Sequence, residues 1–536
     1  MYMRTPLIKI LPLLLAVIFS GFSCADPWVP DLGNGYYKNP ILFADYSDPD
    51  IIKVGSDFYM VASSFNAMPG IPVLHSRDLI NWEIINHVYP RLPFEKHDRH
   101  AHGLGSWAPS INYHKGTFYV YFCTPDLGLF VATTQNPAGK WTLTHITDVE
   151  LWEDPDVIWD DDGQAYLVRG KVRADILYLH KLSADGKKLL DDGQIIYKDL
   201  QNQPVIEGPK FLKHNGYYYI FAPAGGVTTG WQAVLRSKSI YGPYEAKTVM
   251  HQGDTDINGP HQGGMVELDS GEWWFMHFQD RGVYGRITHL QPMRWINDWP
   301  VIGEDKNGDG IGEPVSSWKK PDIGKTFPIK TPQTSDEFNT KKLGLQWQWH
   351  ANPKAEWYSL NRAHKNHLRL YSIQNLTQAG NLRFAPNLLL QKFPAPAFSA
   401  NAQVTFHPEG EKDRAGLVVM GKTWAYLAFF KKEAEVRLGL FEGTYDQYDD
   451  VTRKINSVSW QANAQNEYSA TLKVEIVEGG NSQFSYSRDG ITFTAIGEPF
   501  QATAGIWIGA KVGLFSLNSS IHKSSGYLDV DCFRVE

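Results

Sequence analysis

One repeated pattern constrains this 536-residue chain more than any other feature. It is clearest from Asp48 to Ser64, DPDIIKVGSDFYMVASS. An acidic Asp-Pro-Asp start is followed by an alternating run (Ile51, Ile52, Val54), a turn at Gly55, Ser56 and Asp57, and an aromatic-rich return (Phe58, Tyr59, Met60, Val61). Period-two alternation on both sides of a polar turn predicts a β-hairpin. The pattern recurs as WAPSINYHKGTFYVYFC from Trp107, DPDVIWDDDGQAYLVRG from Asp154, EGPKFLKHNGYYYIFAPA from Glu207 and HQGGMVELDSGEWWFMHFQ from His261. Successive starts lie roughly 50 to 60 residues apart, the length of one four-stranded propeller blade. Further strands are legible between the hairpins, at Val73 to Glu83 and at Gly230 to Tyr244. Five such units predict a five-bladed β-propeller, whose closure removes exposed sheet edges. In such a ring the first residue of each innermost strand lies at one end of the central channel. Asp48, Trp107, Asp154, Glu207 and His261 are therefore expected to converge on one funnel.

Composition supports an all-β chain: Gly 47, Pro 31, Trp 18, Tyr 26 and Phe 27 are the residues of turns and aromatic-rich strands. The length predicts more than one domain. Past Pro314 the sequence turns to Lys, Pro and Thr (SSWKKPDIGKTFPIKTPQTSDEF), which reads as a linker or crossing segment over 321–335. It separates a propeller over 26–320 from a second all-β unit over 336–536. There, about ten short alternating strands, among them Gly416 to Met420, Trp424 to Phe430 and Tyr527 to Val535, predict a jelly-roll, concanavalin-like β-sandwich. The formal charge of -7 is spread without long blocks and points to neither nucleic acid nor an anionic membrane as partner. Residues 1–25 read as a signal peptide, with Arg4 and Lys9 ahead of an apolar run from Ile10 to Phe19, so the protein is expected to be exported. Two processing routes fit. One is small-residue cleavage before Asp26, giving a periplasmic protein; the other uses the imperfect lipoprotein box Gly21-Phe22-Ser23-Cys24 and leaves a lipid anchor on Cys24 at the outer membrane. Only Cys123 and Cys532 remain beyond Cys24, so neither a disulfide framework nor metal-ligand cysteine spacing is present.

Three carboxylates at one channel mouth repel one another and raise at least one pKa. A single acid at a strand start ordinarily caps the strand or bonds a neighbouring backbone. Acids in three of five blades point instead to chemistry. Asp50, Asp156 and the run Asp160 to Asp162 keep the structural reading, because alternation turns them away or leaves them in a turn. Two carboxyl groups flanking a glycosidic bond suffice for hydrolysis, one protonating the leaving oxygen and one activating water or attacking. Glu207 has the longer reach and is followed by the slim Gly208-Pro209, so it is assigned as general acid. Asp48 is then the base, and Asp154 orients the acid and holds its pKa up. Trp107 reads equally as a stacking platform for a sugar and as blade packing; Phe65 is a candidate for the pocket wall. Asp305-Lys306-Asn307-Gly308-Asp309-Gly310 opens like a calcium loop, but Ser316 stands at its twelfth position, and a polar hairpin loop is expected.

The ordered set Asn39-Pro40-Ile41-Leu42, Ser47-Asp48-Pro49-Asp50, Ser76-Arg77-Asp78-Leu79-Ile80-Asn81-Trp82, Trp107-Ala108-Pro109, Asp154-Pro155 and Glu207-Gly208-Pro209 resembles glycoside hydrolase family 43 from about Tyr37 to Pro314. That resemblance implies a five-bladed propeller acting with inversion on arabinose- and xylose-containing plant polysaccharides, with Asp48 as base, Asp154 as pKa modulator and Glu207 as acid. It further implies that Arg286, in Gly285-Arg286-Ile287-Thr288-His289-Leu290-Gln291-Pro292, contacts the sugar hydroxyls and the carboxylates. His261 is similar to an axial histidine that holds a structural calcium or a water cluster beside the substrate. No cofactor is implied for the chemistry itself. Trp347-Gln348-Trp349 and Gly526-Tyr527-Leu528-Asp529-Val530-Asp531 are similar to the concanavalin-like sandwich of the xylosidase and arabinofuranosidase branch, which lends a loop to the pocket rim and favours exo action. The activity expected from that branch is release of terminal α-L-arabinofuranosyl residues from hemicellulose oligosaccharides, with β-D-xylosidase as the alternative. One departure is Asp50, where the family commonly has Ser or Ala, a change expected to alter blade contacts. A retaining fructan-active propeller would carry Arg-Asp-Pro and Asn-Asp-Pro-Asn-Gly segments, which this chain lacks; a non-catalytic glycan-binding propeller would have lost one of the three acids, and all are present.

Overall fold

A computed structural model describes residues 26–375, 381–444, 451–465 and 467–536. The signal-peptide and lipid-anchor readings fall on residues 1–25, outside the described residues. Five four-stranded antiparallel sheets follow one another, each in chain order. The first blade is Asp50–Val54, Asp57–Val61, Gly70–Ser76 and Trp82–Tyr89. The second is Trp107–His114, Thr117–Thr124, Gly128–Thr134 and Thr142–Thr147. The third is Trp152–Trp159, Ala165–Lys171, Leu177–Leu182 and Gln194–Tyr197. The fourth is Lys210–His214, Tyr217–Ala224, Trp231–Ser237 and Glu245–Met250. The fifth is Met265–Glu267, Trp273–Asp280, Arg286–Ile296 and Trp299–Ile302. Hairpin turns fall where Lys115-Gly116 and Asn215-Gly216 predict them, with both residues of each pair at positive φ, as a two-residue primed turn requires. Apolar side chains fill the gaps between blades, and Phe58 and Met60 of the first pack with Trp274 and Met276 of the fifth to close the ring. The lead-in reinforces that closure: Leu42 exchanges backbone hydrogen bonds with Thr288, and Tyr36–Lys38 pairs with Ser317–Lys319.

Each blade begins with one residue in the left-handed region: Asp48 (φ 53°), Ala108 (32°), Asp154 (53°), Gly208 (57°) and Gln262 (45°). Two residues further on, Asp50, Ser110, Asp156 and Lys210 pair with Val61, Tyr121, Val168 and Phe221 of the second strands. These equivalences correct the register expected from the sequence. Asp48 and Asp154 correspond to Gly208, whereas Glu207 stands one residue earlier, in line with Ser47, Trp107, Glu153 and His261. Side chains alternate between faces only while the backbone stays extended. A left-handed residue turns the chain, so two consecutive side chains per blade can reach the funnel.

The acids turned away from the funnel join one blade to the next. Asp50 Oδ2 accepts from the Ile111 N–H (2.8 Å) in the second blade. Asp156 Oδ2 accepts from the Phe211 N–H (2.7 Å) in the fourth, and its Oδ1 accepts from Asn112 Nδ2 (3.0 Å). Lys210 is buried in the channel, where its Nζ donates to the Pro109 carbonyl (3.1 Å) and lies 3.7 Å from Asp50 Oδ2. Burial pushes the Asp50 carboxyl up to about 6, against the pull of Lys210. The substitution at Asp50 is thus a blade contact.

The second unit contains two eight-stranded sheets. Among the described residues these hold sixteen strands, more than the ten or so the sequence suggests. Strands as short as Gln348–Trp349 and Thr494–Ala495 are too brief to show alternation, and Val451–Ser459 (VTRKINSVS) is polar at most positions. The core between the sheets, including Phe406, Leu417, Phe429, Leu472 and Leu514, also takes in Phe43, Tyr284 and Ile287 of the propeller. Backbone bonds join the same surfaces: Met68 and Trp349 exchange two, and the Ala510 N–H donates to the Val283 carbonyl (2.7 Å).

Replacing Asp50 by Ala leaves the Ile111 N–H buried without an acceptor, and the variant is expected to lose about 1–3 kcal/mol of stability in denaturant unfolding. Its turnover below the unfolding transition should fall far less than that of Asp48→Asn; an equal loss would overturn the register given above.

Candidate active site

Asp48 is held from three directions. Its Oδ2 accepts from Ser47 Oγ (2.9 Å) and Ser63 Oγ (2.5 Å), and its Oδ1 accepts from Arg286 Nη1 (3.0 Å). The left-handed backbone at Asp48 aims the carboxyl toward the adjacent fifth blade, where Arg286 begins the third strand. The same guanidinium donates to Ser47 Oγ (2.9 Å), and the Arg286 backbone N–H donates to Asp45 Oδ1 (2.9 Å). All three of these hydrogen-bonding partners donate to Asp48, which suits a carboxylate. Arg286 thus contacts the Asp48 carboxylate directly.

Across the funnel, Glu207 Oε1 is 2.6 Å from Nε2 of the buried His261. Asp154 Oδ2 accepts from the Gly208 N–H (2.8 Å), tying the third blade to the residue that follows Glu207. The sequence did not single out Glu153, yet carboxylate oxygens of Glu153, Asp154 and Glu207 all lie within 4.8 Å of one another. Burial, reinforced by Glu207 and Asp48, pushes Asp154 up to about 8. Burial, Asp154 and Glu207 push Glu153 up to about 9. Glu207 is also raised by burial, but the His261 hydrogen bond and charge and the Arg286 charge outweigh it and leave the carboxyl below its ordinary range. Asp154 has one backbone N–H and the more distant Lys210 to stabilise its charge, whereas Glu207 has an imidazole in contact. Burial and mutual repulsion therefore favour the neutral forms of Asp154 and of Glu153 beside it over their charged forms.

His261 offers poor ligands for calcium, which prefers six to eight oxygens. Its Nε2 is taken by Glu207 and its Nδ1 faces no hydrogen-bonding partner among the described residues. In the structure His261 is the hydrogen-bond partner of Glu207. In the loop Asp305–Gly310, Asp305 spends both carboxylate oxygens on the Gly308 and Gly310 N–H groups (2.7 and 3.0 Å), the behaviour of a polar turn.

Aromatic rings line the opposite wall. Trp107 is half-buried and donates its Nε1 to the Gly103 carbonyl (2.9 Å); the buried Phe65 supports it edge-on at 6.4 Å. The sandwich contributes Trp507, half exposed, at 6.1 Å from the Trp107 ring and with the Arg286 guanidinium 5.8 Å from its centroid. The preceding Ile506 packs so closely on Gly103 that a Cβ there would lie 2.6 Å from its Cγ2, at a φ of +76° that itself favours glycine. No local signal marks Trp507 in the sequence, because its neighbours come from another domain.

The propeller funnel sets a donor-bound Asp against a buried Glu–His pair and a second buried Asp, and paired carboxyl groups are what glycosidic-bond cleavage uses. The chain belongs to glycosyl hydrolases family 43: that family matches residues 37–300, and the beta xylosidase C-terminal concanavalin A-like domain matches 335–536. It is 42% identical over 489 residues to a putative beta-xylosidase of Xylanibacter ruminicola, covering 90% of this chain and 86% of that protein. Identity to a beta-xylosidase of Formosa agariphila is 33%, over 94% and 91% of the two chains. A non-reducing end alpha-L-arabinofuranosidase of Bacteroides ovatus is 31% identical, over 72% and 73%. Among solved structures, the GH43 BlXynB protein of Bacillus licheniformis superimposes with a TM-score of 0.79 at 25% identity, covering 93% of this chain and 99% of that one. The protein is a glycoside hydrolase.

Because an acid with a raised pKa is protonated below it, the proton stored on Asp154 is lost as pH rises through about 8. The pH profile of kcat/KM is expected to fall about tenfold per unit beyond that point. Asp154→Asn, which cannot titrate but can still accept from Gly208, should abolish this limb and lower kcat/KM by about 10²–10⁴-fold.

Proposed function

We propose that the protein is an inverting, exo-acting β-D-xylosidase that also accepts α-L-arabinofuranosides, acting on oligosaccharides from plant hemicellulose. The observation that carries the reaction type is the opposition of Asp48, surrounded by donors, to Glu207, bonded to His261. Asp48 takes a proton from water, the water oxygen bonds to the anomeric carbon from one face, and the glycosidic C–O bond breaks on the other. The departing oxygen takes a proton from Glu207, which draws it from the neutral Asp154 within its reach. Arg286 fixes Asp48 and presents its guanidinium beside the sugar site. Inversion requires room for the water, so the Asp48 and Glu207 carboxyls are expected roughly 6.5–9.5 Å apart in the substrate complex.

Xylose is placed first because the two relatives reported above that cover most of the chain carry the name beta-xylosidase, whereas the arabinofuranosidase relative matches less of it. This reverses the order suggested by the resemblance alone. Closure of the funnel on one side by Trp507 favours a terminal sugar over the middle of a chain. The chemistry runs on carboxyl groups and needs no metal, so EDTA should leave turnover unchanged. The apolar run at Ile10 to Phe19 supports export.

Glu207→Gln and Asp48→Asn should each reduce hydrolysis of nitrophenyl β-D-xyloside and α-L-arabinofuranoside to background, with unchanged circular dichroism. Near-normal turnover in either variant contradicts the assignment, and side-by-side kcat/KM on the two glycosides ranks the sugars. Polarimetry or NMR of the first-formed sugar should show the inverted anomer.

A further inference from the structure

The five blade starts present one ring of equivalent positions to the funnel: Ser47, Trp107, Glu153, Glu207 and His261. Three have a side-chain partner in the protein. Ser47 meets Arg286 and Asp48, while Glu207 and His261 hold each other. Trp107 is anchored by its indole N–H. Glu153 differs: no hydrogen bond or ion pair to its carboxyl is formed by any described residue, although the residue is only 9% exposed. It occupies on the third blade the position that Glu207 occupies on the fourth, and a carboxyl oxygen of each lies within 4.8 Å of the other and of Asp154.

The local backbone is shaped to place it there. The pairing of Trp152–Trp159 with Ala165–Lys171 shifts register between Glu153 and Asp156, and Asp154 is left-handed, so both consecutive carboxyls face one side. Across the ladder stands Gly170, where a Cβ would come within 3.0 Å of Glu153 Cγ. The missing side chain leaves Glu153 free to lie over the strand into the funnel. A polar group that is nearly buried and lacks a protein partner carries a desolvation cost that a ligand hydroxyl can relieve. The facing titratable and charged groups are Asp154, Glu207, Asp175 and Arg169, and the three acids favour a neutral Glu153 over a charged one. A neutral carboxyl both donates and accepts a hydrogen bond, which matches a sugar hydroxyl and not a second anion.

We propose that Glu153 is a specificity-determining residue whose carboxyl group hydrogen-bonds a hydroxyl of the neutral pentose bound beside Asp154 and Glu207. This rests on the glycosidase reading of the same funnel. The contact rewards a hydroxyl at one ring position, and the surrounding acids disfavour a uronic acid there.

The experiment uses the full chain and nitrophenyl β-D-xyloside together with its 2-, 3- and 4-deoxy analogues. Glu153→Met keeps the length of the side chain and removes the polar group; kcat/KM on the parent xyloside is expected to drop about tenfold to a hundredfold. Glu153→Gln, which can still donate and accept, should stay within a few-fold of the parent protein. In the parent protein one deoxy analogue should be penalised by a similar factor, and in Glu153→Met that penalty should vanish, a coupling that a merely structural role would not produce. If Glu153→Met does not fold, Glu153→Ala carries the same comparison. Unchanged kcat/KM in the Met or Ala variant, or deoxy penalties identical with and without Glu153, overturns the inference. Failure of the parent protein on both nitrophenyl pentosides would instead overturn the substrate reading on which it rests.

Discussion

The structure depends on a backbone constraint repeated five times: one left-handed residue at the start of every blade. An L-residue other than Gly resists that conformation, which Asn and Asp tolerate better than most. Asp occupies it in the first and third blades and Gly in the fourth; Ala108 and Gln262 adopt it under the hold of the surrounding sheets. The turn breaks the alternation of the innermost strand just before the ladder begins. Without it, Glu153 and Asp154 would face opposite ways, and Glu207 would not share a funnel with the residue bonded to the Gly208 N–H.

Crowding acids into a buried space is costly, and each acid here is accommodated differently. Asp48 receives two hydroxyls and a guanidinium. Glu207 receives an imidazole. Asp50 and Asp156 accept backbone N–H groups from neighbouring blades and so serve as joints. Asp154 has too few donors for its charge and retains its proton up to about 8, and Glu153 does so up to about 9. The division into acceptor, donor and joint follows from which groups face each carboxyl, since the acids themselves are chemically alike.

The sandwich is part of the same object. Its main core takes in Phe43, Tyr284 and Ile287 of the propeller, and its Trp507 reaches the funnel wall next to Trp107. Gly103 makes that approach sterically feasible. The rim of the site is therefore decided by packing between domains, far from the residues that carry the chemistry in sequence.

The sequence alone determined the five hairpins, their spacing and the ring they imply, because period-two alternation and turn residues are local signals; Asp48, Asp154 and Glu207 were legible as its acids for the same reason. It also separated Asp50 and Asp156 from them correctly, through the parity of a strand. Parity is also where it failed: it aligned Glu207 with Asp48, missed Glu153, and counted too few strands in the sandwich, because a left-handed residue and a two-residue strand both lie below the resolution of an alternation pattern. Only the tertiary structure decided that Arg286 holds Asp48, that His261 holds Glu207, and that Trp507 closes the wall. Those contacts join residues separated by tens to hundreds of positions, and the charge each acid carries is a property of the neighbours that folding supplies.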